Sequence, residues 1–268
     1  MALTNEQRGA IGEALYQAMR EGKTLPPLTE SYDSIDIDDA YHISRAMLAK
    51  RMENDSERVV GKKIGVTSAA VQQMLGVFQP DFGFLTNAMA YDNAAKIPVA
   101  GNLIQPRAEG EIAFKLKSDL FGTNITEEDV LAATECIMPC FEIVDSRIHQ
   151  WRIKIQDTIA DNASCGVYVL GDSELPAEGI DLSKLEIQVY KNGSPLSHGF
   201  GSAVQGNPLT AVAWLANTLG AFDIPLLAGE IILSGSVVPL EPVVAGDHMS
   251  LVMSGEGLPD SHCECTFV

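Results

Sequence analysis

Three carboxylates offer this sequence its clearest chemistry. Glu109 and Glu111 stand two residues apart in Pro106-Arg107-Ala108-Glu109-Gly110-Glu111-Ile112-Ala113-Phe114. On a β-strand, residues i and i+2 share a face, so both acids project together while Ile112, Phe114 and Leu116 pack the other way. Two adjacent anions repel unless a cation sits between them. A hard divalent ion with oxygen ligands is one resolution, and a solvated acidic strand face is the other. Glu142, in Phe141-Glu142-Ile143-Val144, lies among apolar neighbours where a lone charge is costly and demands a partner. Three Glu oxygens with no clustered His or Cys suit Mg²⁺ or Mn²⁺ far better than Zn²⁺ or Cu.

Other polar groups fall near glycines. Lys62 and Lys63 follow Gly61 and precede Gly65; on a strand they face opposite ways, either as a solvated pair or with Lys63 turned inward to bind a carboxylate or move a proton. Asp81, between Pro80 and Phe82-Gly83, is a turn acid or a catalytic acid/base; taken alone, the turn reading is preferred. Arg107 and Arg147 are placed to pair with the neighbouring acids. Asp161-Asn162-Ala163-Ser164 and Ser234-Gly235-Ser236 gather short polar groups and backbone N–H groups, for loop capping or for binding ligand oxygens. No His-x-x-x-His pair, Gly-x-Ser-x-Gly elbow, phosphate loop or dinucleotide fingerprint is present.

The elements that must position these groups are legible in outline. Thr4-Asn5-Glu6-Gln7 is a capping box for a helix to about Arg20, and Asp36 caps a second helix to about Met52. Pro26-Pro27 joins them as an extended linker. Neither helix carries enough apolar face to fold alone, so residues 1–57 read as a helical N-terminal cap on a catalytic portion, 58–268. There, Val59 to Thr67 is a glycine-broken strand, Ser68 caps a short helix, Thr126 caps another that Ala132 to Ile137 either extends or replaces with the start of a strand, and Cys140 to Asp145, after Pro139, alternates as a strand. Lys191-Asn192-Gly193-Ser194 is a hairpin turn and Pro208 to Leu219 a helix. The fold class expected is α+β, a mixed β fold with few helices.

Composition bounds the partners. Eighteen basic against 36 acidic residues give a net charge of −18, which argues against nucleic acid or an anionic membrane surface. An anionic substrate would then need local positive charge from a metal, Lys or Arg. No run of about 18 apolar residues suggests a membrane span. The polar N-terminus is unlike a secretory signal, so a cytoplasmic location is expected. The five cysteines sit in apolar settings without zinc-site spacing and read as reduced, buried thiols.

Taken in order, these segments resemble the 2-keto-4-pentenoate hydratases of the fumarylacetoacetate hydrolase superfamily. The matching stretches are Gly61 to Ser68, Gln79 to Gly83, Arg107 to Phe114, Phe141 to Arg147, Ile153 to Gly166, Leu233 to Pro242 and Ala245-Gly246-Asp247. The stretch Gly257 to Cys265 departs from the family's pattern. The resemblance implies a mixed β-roll behind the helical N-terminus and a divalent metal, Mg²⁺ or Mn²⁺, on Glu109, Glu111 and Glu142. It implies Lys63 and Asp81 as proton-transfer or substrate-binding groups, with Ser164, Ser234 and Gly235 near the substrate. The implied reaction is hydration of 2-hydroxypenta-2,4-dienoate to 4-hydroxy-2-oxopentanoate in aromatic meta-cleavage. A homo-oligomer and association with 4-oxalocrotonate decarboxylase are implied too. The rivals are that decarboxylase activity itself, a C–C hydrolase, and a non-catalytic partner subunit.

Overall fold

The computed structural model describes residues 3–268. Thr4 closes the expected capping box on α1 (Asn5–Glu21), its hydroxyl accepting from the Gln7 N–H at 3.2 Å while Gln7 Oε1 accepts from the Thr4 N–H at 2.9 Å. Pro27 is not simply linker: it is the N-cap residue of the single turn α2 (Leu28–Ser31). Asp36 caps α3 (Ile37–Asp55), which runs one turn past the expected Met52. Ile11, Leu15, Ile43 and Met47 bury the seam between α1 and α3. Gly12 permits their close approach, because a Cβ there would lie 2.7 Å from that of Ala46.

The chain then enters β1 (Val59–Gly65), α4 (Ala69–Leu75, capped by Ser68) and β2 (Asp81–Thr86). Short strands β3 (Ala90–Tyr91) and β4 (Ala95–Ile97) precede the long pair β5 (Pro106–Leu116) and β6 (Thr134–Asp145), with α5 (Glu127–Ala133) between them. Next come α6 (Ile155–Ala160), β7 (Cys165–Leu170), β8 (Glu186–Lys191), β9 (Ser194–Phe200) and α7 (Pro208–Gly220). The chain ends in β10 (Ile231–Ser236), β11 (Glu241–Pro242), β12 (His248–Ser254) and β13 (Ser261–Phe267).

These strands form two sheets. The first has the order β2-β1-β10-β5-β6-β7-β3, with β11 also on β5; the second has the order β4-β13-β12-β8-β9. Most pairs are antiparallel, but β1 runs parallel to β10, β3 to β7 and β4 to β13, as the mixed reading requires. Ala108, Ile112, Phe114, Phe141 and Ile143 face Ile187, Val189 and Leu251 of the second sheet in one shared core. The expected hairpin turn closes β8 on β9, with Asn192 and Gly193 both at positive φ (54° and 78°).

Strand β6 starts before Pro139, not after it. Pro139 lies inside the strand, opposite Ile112, and its carbonyl turns to the β7 side to accept the Gly171 N–H at 2.9 Å. The missing proline N–H therefore falls beyond the last β6–β7 pair, Cys140 with Leu170, and breaks no rung. The divergent C-terminal stretch still delivers a regular strand: β13 pairs with β12 through His262 opposite Val252 and Cys263 opposite Leu251. All five cysteines are buried and free. Among the described residues no helix is long and apolar enough to cross a membrane.

Candidate active site and metal centre

Register brings the three acids together. Glu109 on β5 pairs directly with Glu142 on β6, so these two and Glu111 share the sheet face opposite the main core. One oxygen from each lies within 4.8 Å of the others, at relative exposures of 6%, 0% and 1%. This is no solvated strand face. Glu111 Oε2 accepts the Gly235 N–H at 2.8 Å, yet Oε1 and both Glu142 oxygens find no hydrogen-bond donor among the described residues. A break in the β5–β10 register between Leu233 and Ser236 aims that N–H at Glu111. Gly235 sits there at φ 109°, and a Cβ would collide with Thr67. Its neighbour Ser234 donates to the Ile112 carbonyl at 2.8 Å, pinning the same bulge rather than pointing at open space.

Strand β1 supplies the cation. Lys62 and Lys63 face opposite ways as expected, but neither is solvated: both are buried. Lys62 meets Glu230 at 2.5 Å on one side, and Lys63 Nζ stands 3.2 Å from Glu142 Oε1 on the other, as an ion pair outside hydrogen-bond geometry. Asp81 is not a turn acid. It is the first residue of β2, buried opposite Gly65, where any Cβ would collide with Asp81 Oδ1 and lie 3.3 Å from Lys63 Nζ. Glycine at 65 thus leaves room for the acid and the amine to face each other.

Electrostatics follow from this burial. Desolvation works against the Lys63 charge, but Glu142 and the other acids around it more than compensate and hold the ammonium protonated. Burial, then the Glu142 charge, pushes Glu109 up to about 8. Burial and the same neighbours raise Glu111 well above the ordinary range, against the Gly235 N–H. Glu142 and Asp81 are also raised by burial, each opposed chiefly by Lys63. Four carboxylates against one ammonium leave an excess of negative charge that only protonation or a cation relieves. Unpartnered carboxylate oxygens, full burial and an all-oxygen donor set fit a hard divalent ion held by Glu109, Glu111 and Glu142.

A cleft lined by Lys63, Asp81, Glu109, Trp151, Thr158 and Ser164, with Val144 and Leu240 as apolar wall, opens onto this cluster. Ser164 reaches it from three consecutive left-handed residues, Asn162, Ala163 and Ser164 (φ 52°, 51° and 54°), a conformation costly outside glycine. Asn162 anchors the run by exchanging hydrogen bonds with the Phe84 backbone at 2.9 and 3.0 Å. Arg147 does not pair with the glutamates. It is buried against Asp161, donating from its N–H and Nε at 2.8 and 2.5 Å, and it thereby ties the end of β6 to the Ser164 turn. Among the described residues Arg107 forms no ion pair either; its guanidinium lies 4.6 Å over the Trp151 ring at the cleft edge. The sequence reading missed Thr158 and Trp151. Both fall in the segment Ile153 to Gly166 or just before it, but their partners are too distant in sequence for spacing to reveal.

Comparison with known proteins identifies the family. Residues 59–262 match the family described as fumarylacetoacetate (FAA) hydrolase C-terminal. The chain is 60% identical over 247 residues to a 2-hydroxyhexa-2,4-dienoate hydratase of Comamonas testosteroni, covering 92% of this chain and 93% of that one. It is 44% identical over 255 residues to a 2-keto-4-pentenoate hydratase of Paraburkholderia xenovorans, covering 95% and 94%. A solved 4-oxalocrotonate decarboxylase from Pseudomonas putida, complexed with magnesium and adipate, superimposes with a TM-score of 0.92 at 30% identity over 99% of both chains. The chain belongs to the fumarylacetoacetate hydrolase family, in its group of 2-keto-4-pentenoate hydratases.

Proposed function

We propose that the chain is a hydro-lyase that adds water to 2-hydroxypenta-2,4-dienoate, giving 4-hydroxy-2-oxopentanoate in the meta-cleavage breakdown of aromatic compounds. The observation that carries this reading is a buried carboxylate triad with unpartnered oxygens facing Lys63 and Asp81, in a chain 60% identical to a dienoate hydratase. Glu109, Glu111 and Glu142 would hold Mg²⁺ or Mn²⁺, which when bound supplies a positive field for the substrate's carboxylate and for charge developing on its 2-oxygen.

The protein's own groups manage the protons. The 2-hydroxyl loses a proton and C5 gains one, giving the 2-oxo-3-enoate. Water then adds across C3 and C4, with its oxygen on C4 and a proton on C3. Lys63, held cationic against Glu142, and Asp81, with an unpartnered Oδ1 beside it, carry these transfers. Val144, Trp151 and Leu240 give the hydrocarbon end a dry wall, and Ser164 with the Ser234-Gly235 bulge shapes the polar end. We read residues 1–57 as a cap on the catalytic portion, 58–268. The burial of Ile148, Ile153 and Ile159 against α1 and α3 supports that division.

The protein incubated with Mg²⁺ and the dienoate should consume the diene absorbance and form the 4-hydroxy-2-oxo acid. Release of CO₂ from 4-oxalocrotonate without dienoate hydration would refute this choice. Sequence identity favours hydration, at 60% to a hydratase against 30% to the decarboxylase. We also propose a homo-oligomer, in which exposed Phe121 and Phe222 are covered, and association with such a decarboxylase, whose fold is nearly superimposable. Light scattering and co-purification test the two.

A further inference from the structure

Thr158, on α6, is buried and donates from Oγ1 to Asp81 Oδ2 at 3.1 Å; the same oxygen lies 3.4 Å from Ser164 Oγ. A hydroxyl has one proton to give, and an ionised carboxylate can only accept. With the Thr158 proton committed to Asp81, the contact with Ser164 runs from the Ser164 O–H to Thr158. Ser164 then has no proton left and offers only lone pairs to the cleft. The two oxygens of Asp81 are also made unequal. Oδ2 is taken, while Oδ1 is buried without a partner and faces the space that Gly65 leaves open beside Lys63 Nζ.

The helix carrying Thr158 is itself held firmly. Asp157 accepts from the Thr29 N–H and hydroxyl at 3.0 and 2.8 Å and from the Lys154 N–H at 2.8 Å, which ties α6 to the N-terminal helices. Ile159 and Ala160 are buried in the core those helices share. A helical Thr has two χ1 rotamers open to it, and the hydrogen bond to Asp81 selects the one that sets the hydroxyl direction.

We propose that Thr158 is a positioning residue. It clamps Asp81 through Oδ2 so that Oδ1 is the oxygen that exchanges protons with the substrate, and it turns Ser164 into a hydrogen-bond acceptor for the incoming water or the product hydroxyl. This rests on the reading of Asp81 as a proton-transfer group in the hydratase.

The test compares wild type, Thr158→Val, Thr158→Ala, Thr158→Ser and Asp81→Asn in steady-state hydration with Mg²⁺, alongside melting curves. Val and Ala at 158 should each lower kcat by about 10²-fold with KM within about threefold, the range expected when a general acid–base group is mis-set. Ser, which keeps the hydroxyl, should recover kcat to within about fivefold of wild type. A merely structural role would instead lower the melting temperature and leave kcat of the folded fraction unchanged. Thr158→Val or Thr158→Ala turning over at the wild-type rate, or Thr158→Ser as slow as either, while Asp81→Asn is inactive, overturns this inference alone. Full activity of Asp81→Asn overturns the role of Asp81, and a wild type that does not hydrate the dienoate overturns the proposed function with it.

Discussion

Replacing Glu111 by Gln should make the metal-free protein more stable and the metal-loaded protein less so. The carboxylate is fully buried, and its nearest charges are two further carboxylates with oxygens within 4.8 Å. At that separation and an effective dielectric of 20, each ionised pair costs about 3.5 kcal/mol. The wild type limits this cost by holding protons: Glu109 retains its proton up to about 8, and Glu111 is also raised. Because these folded-state values lie above the unfolded ones, the stabilising contribution is complete below the unfolded carboxylate range. It is lost as pH rises through the folded values, near 8 for Glu109. An uncharged amide at 111 can still accept the Gly235 N–H while removing one charge. In chelator, Glu111→Gln should therefore match wild type near pH 5 and gain about 2 kcal/mol near pH 9, a discounted share of the pair cost.

For a chain of this size that gain raises the melting temperature by roughly 4–8 °C. Added Mg²⁺ reverses the order: at 100 times Kd it stabilises the wild type by about 2.7 kcal/mol, and a site missing one of three ligands gains almost nothing. Differential scanning fluorimetry in chelator and in Mg²⁺, across pH 5–9, reads both arms (an assay range chosen about the Glu109 value of about 8). A variant less stable than wild type in chelator at high pH would refute the charge-crowding reasoning. A variant with an undiminished Mg²⁺ shift would refute the ligand assignment.

Lys63→Met should lower kcat of the folded, Mg²⁺-loaded protein by about 10²–10⁴-fold, measured as dienoate turnover beside circular dichroism, because it removes the ammonium that, among the described residues, faces the acids. Lys62→Met strands Glu230 as a buried, unpaired anion and should cost about 3–5 kcal/mol in a denaturant melt, while Lys62→Met with Glu230→Leu should recover most of it. Gly235→Ala places a Cβ into Thr67 at φ 109° and swings the N–H off Glu111, so the Mg²⁺-induced thermal shift should largely disappear.

Local signals in the sequence carried the capping boxes, the Asn192-Gly193 turn and the pairing of Glu109 with Glu111 on one strand face, because each depends on residues within one or two turns of chain. What was not legible depends on long-range register. Neither the parallel β1–β10 pairing, which sets Lys63 beside the acids, nor the Thr158–Asp81 hydrogen bond across 77 residues leaves a local trace. Lys62 and Lys63 look alike in sequence, and only the partners across two sheet faces make one a structural pair with Glu230 and the other a site cation.

The hardest ambiguity was whether Glu109 and Glu111 face water. Alternation fixes that they share a face but says nothing about which face is covered. The residue between them helps decide it. A Cβ on Gly110 would stand 3.1 and 3.2 Å from Val189 and Ile187, so glycine allows the second sheet to close against β5. That commits the even-numbered face to the main core and the acids to the other. The acid face would be open if the sheet were flat and bare. Instead β1 and the β10 bulge border it, and the α6–Ser164 segment lies over it, each bringing a polar group rather than a hydrophobic lid: Lys63, the Gly235 N–H, Thr158 and Ser164. Covering an acidic face with polar groups from three separate elements, yet leaving four carboxylate oxygens of Asp81, Glu111 and Glu142 without a donor, gives no stability advantage to the free protein. The arrangement makes physical sense when a cation and an oxygen-rich ligand complete it.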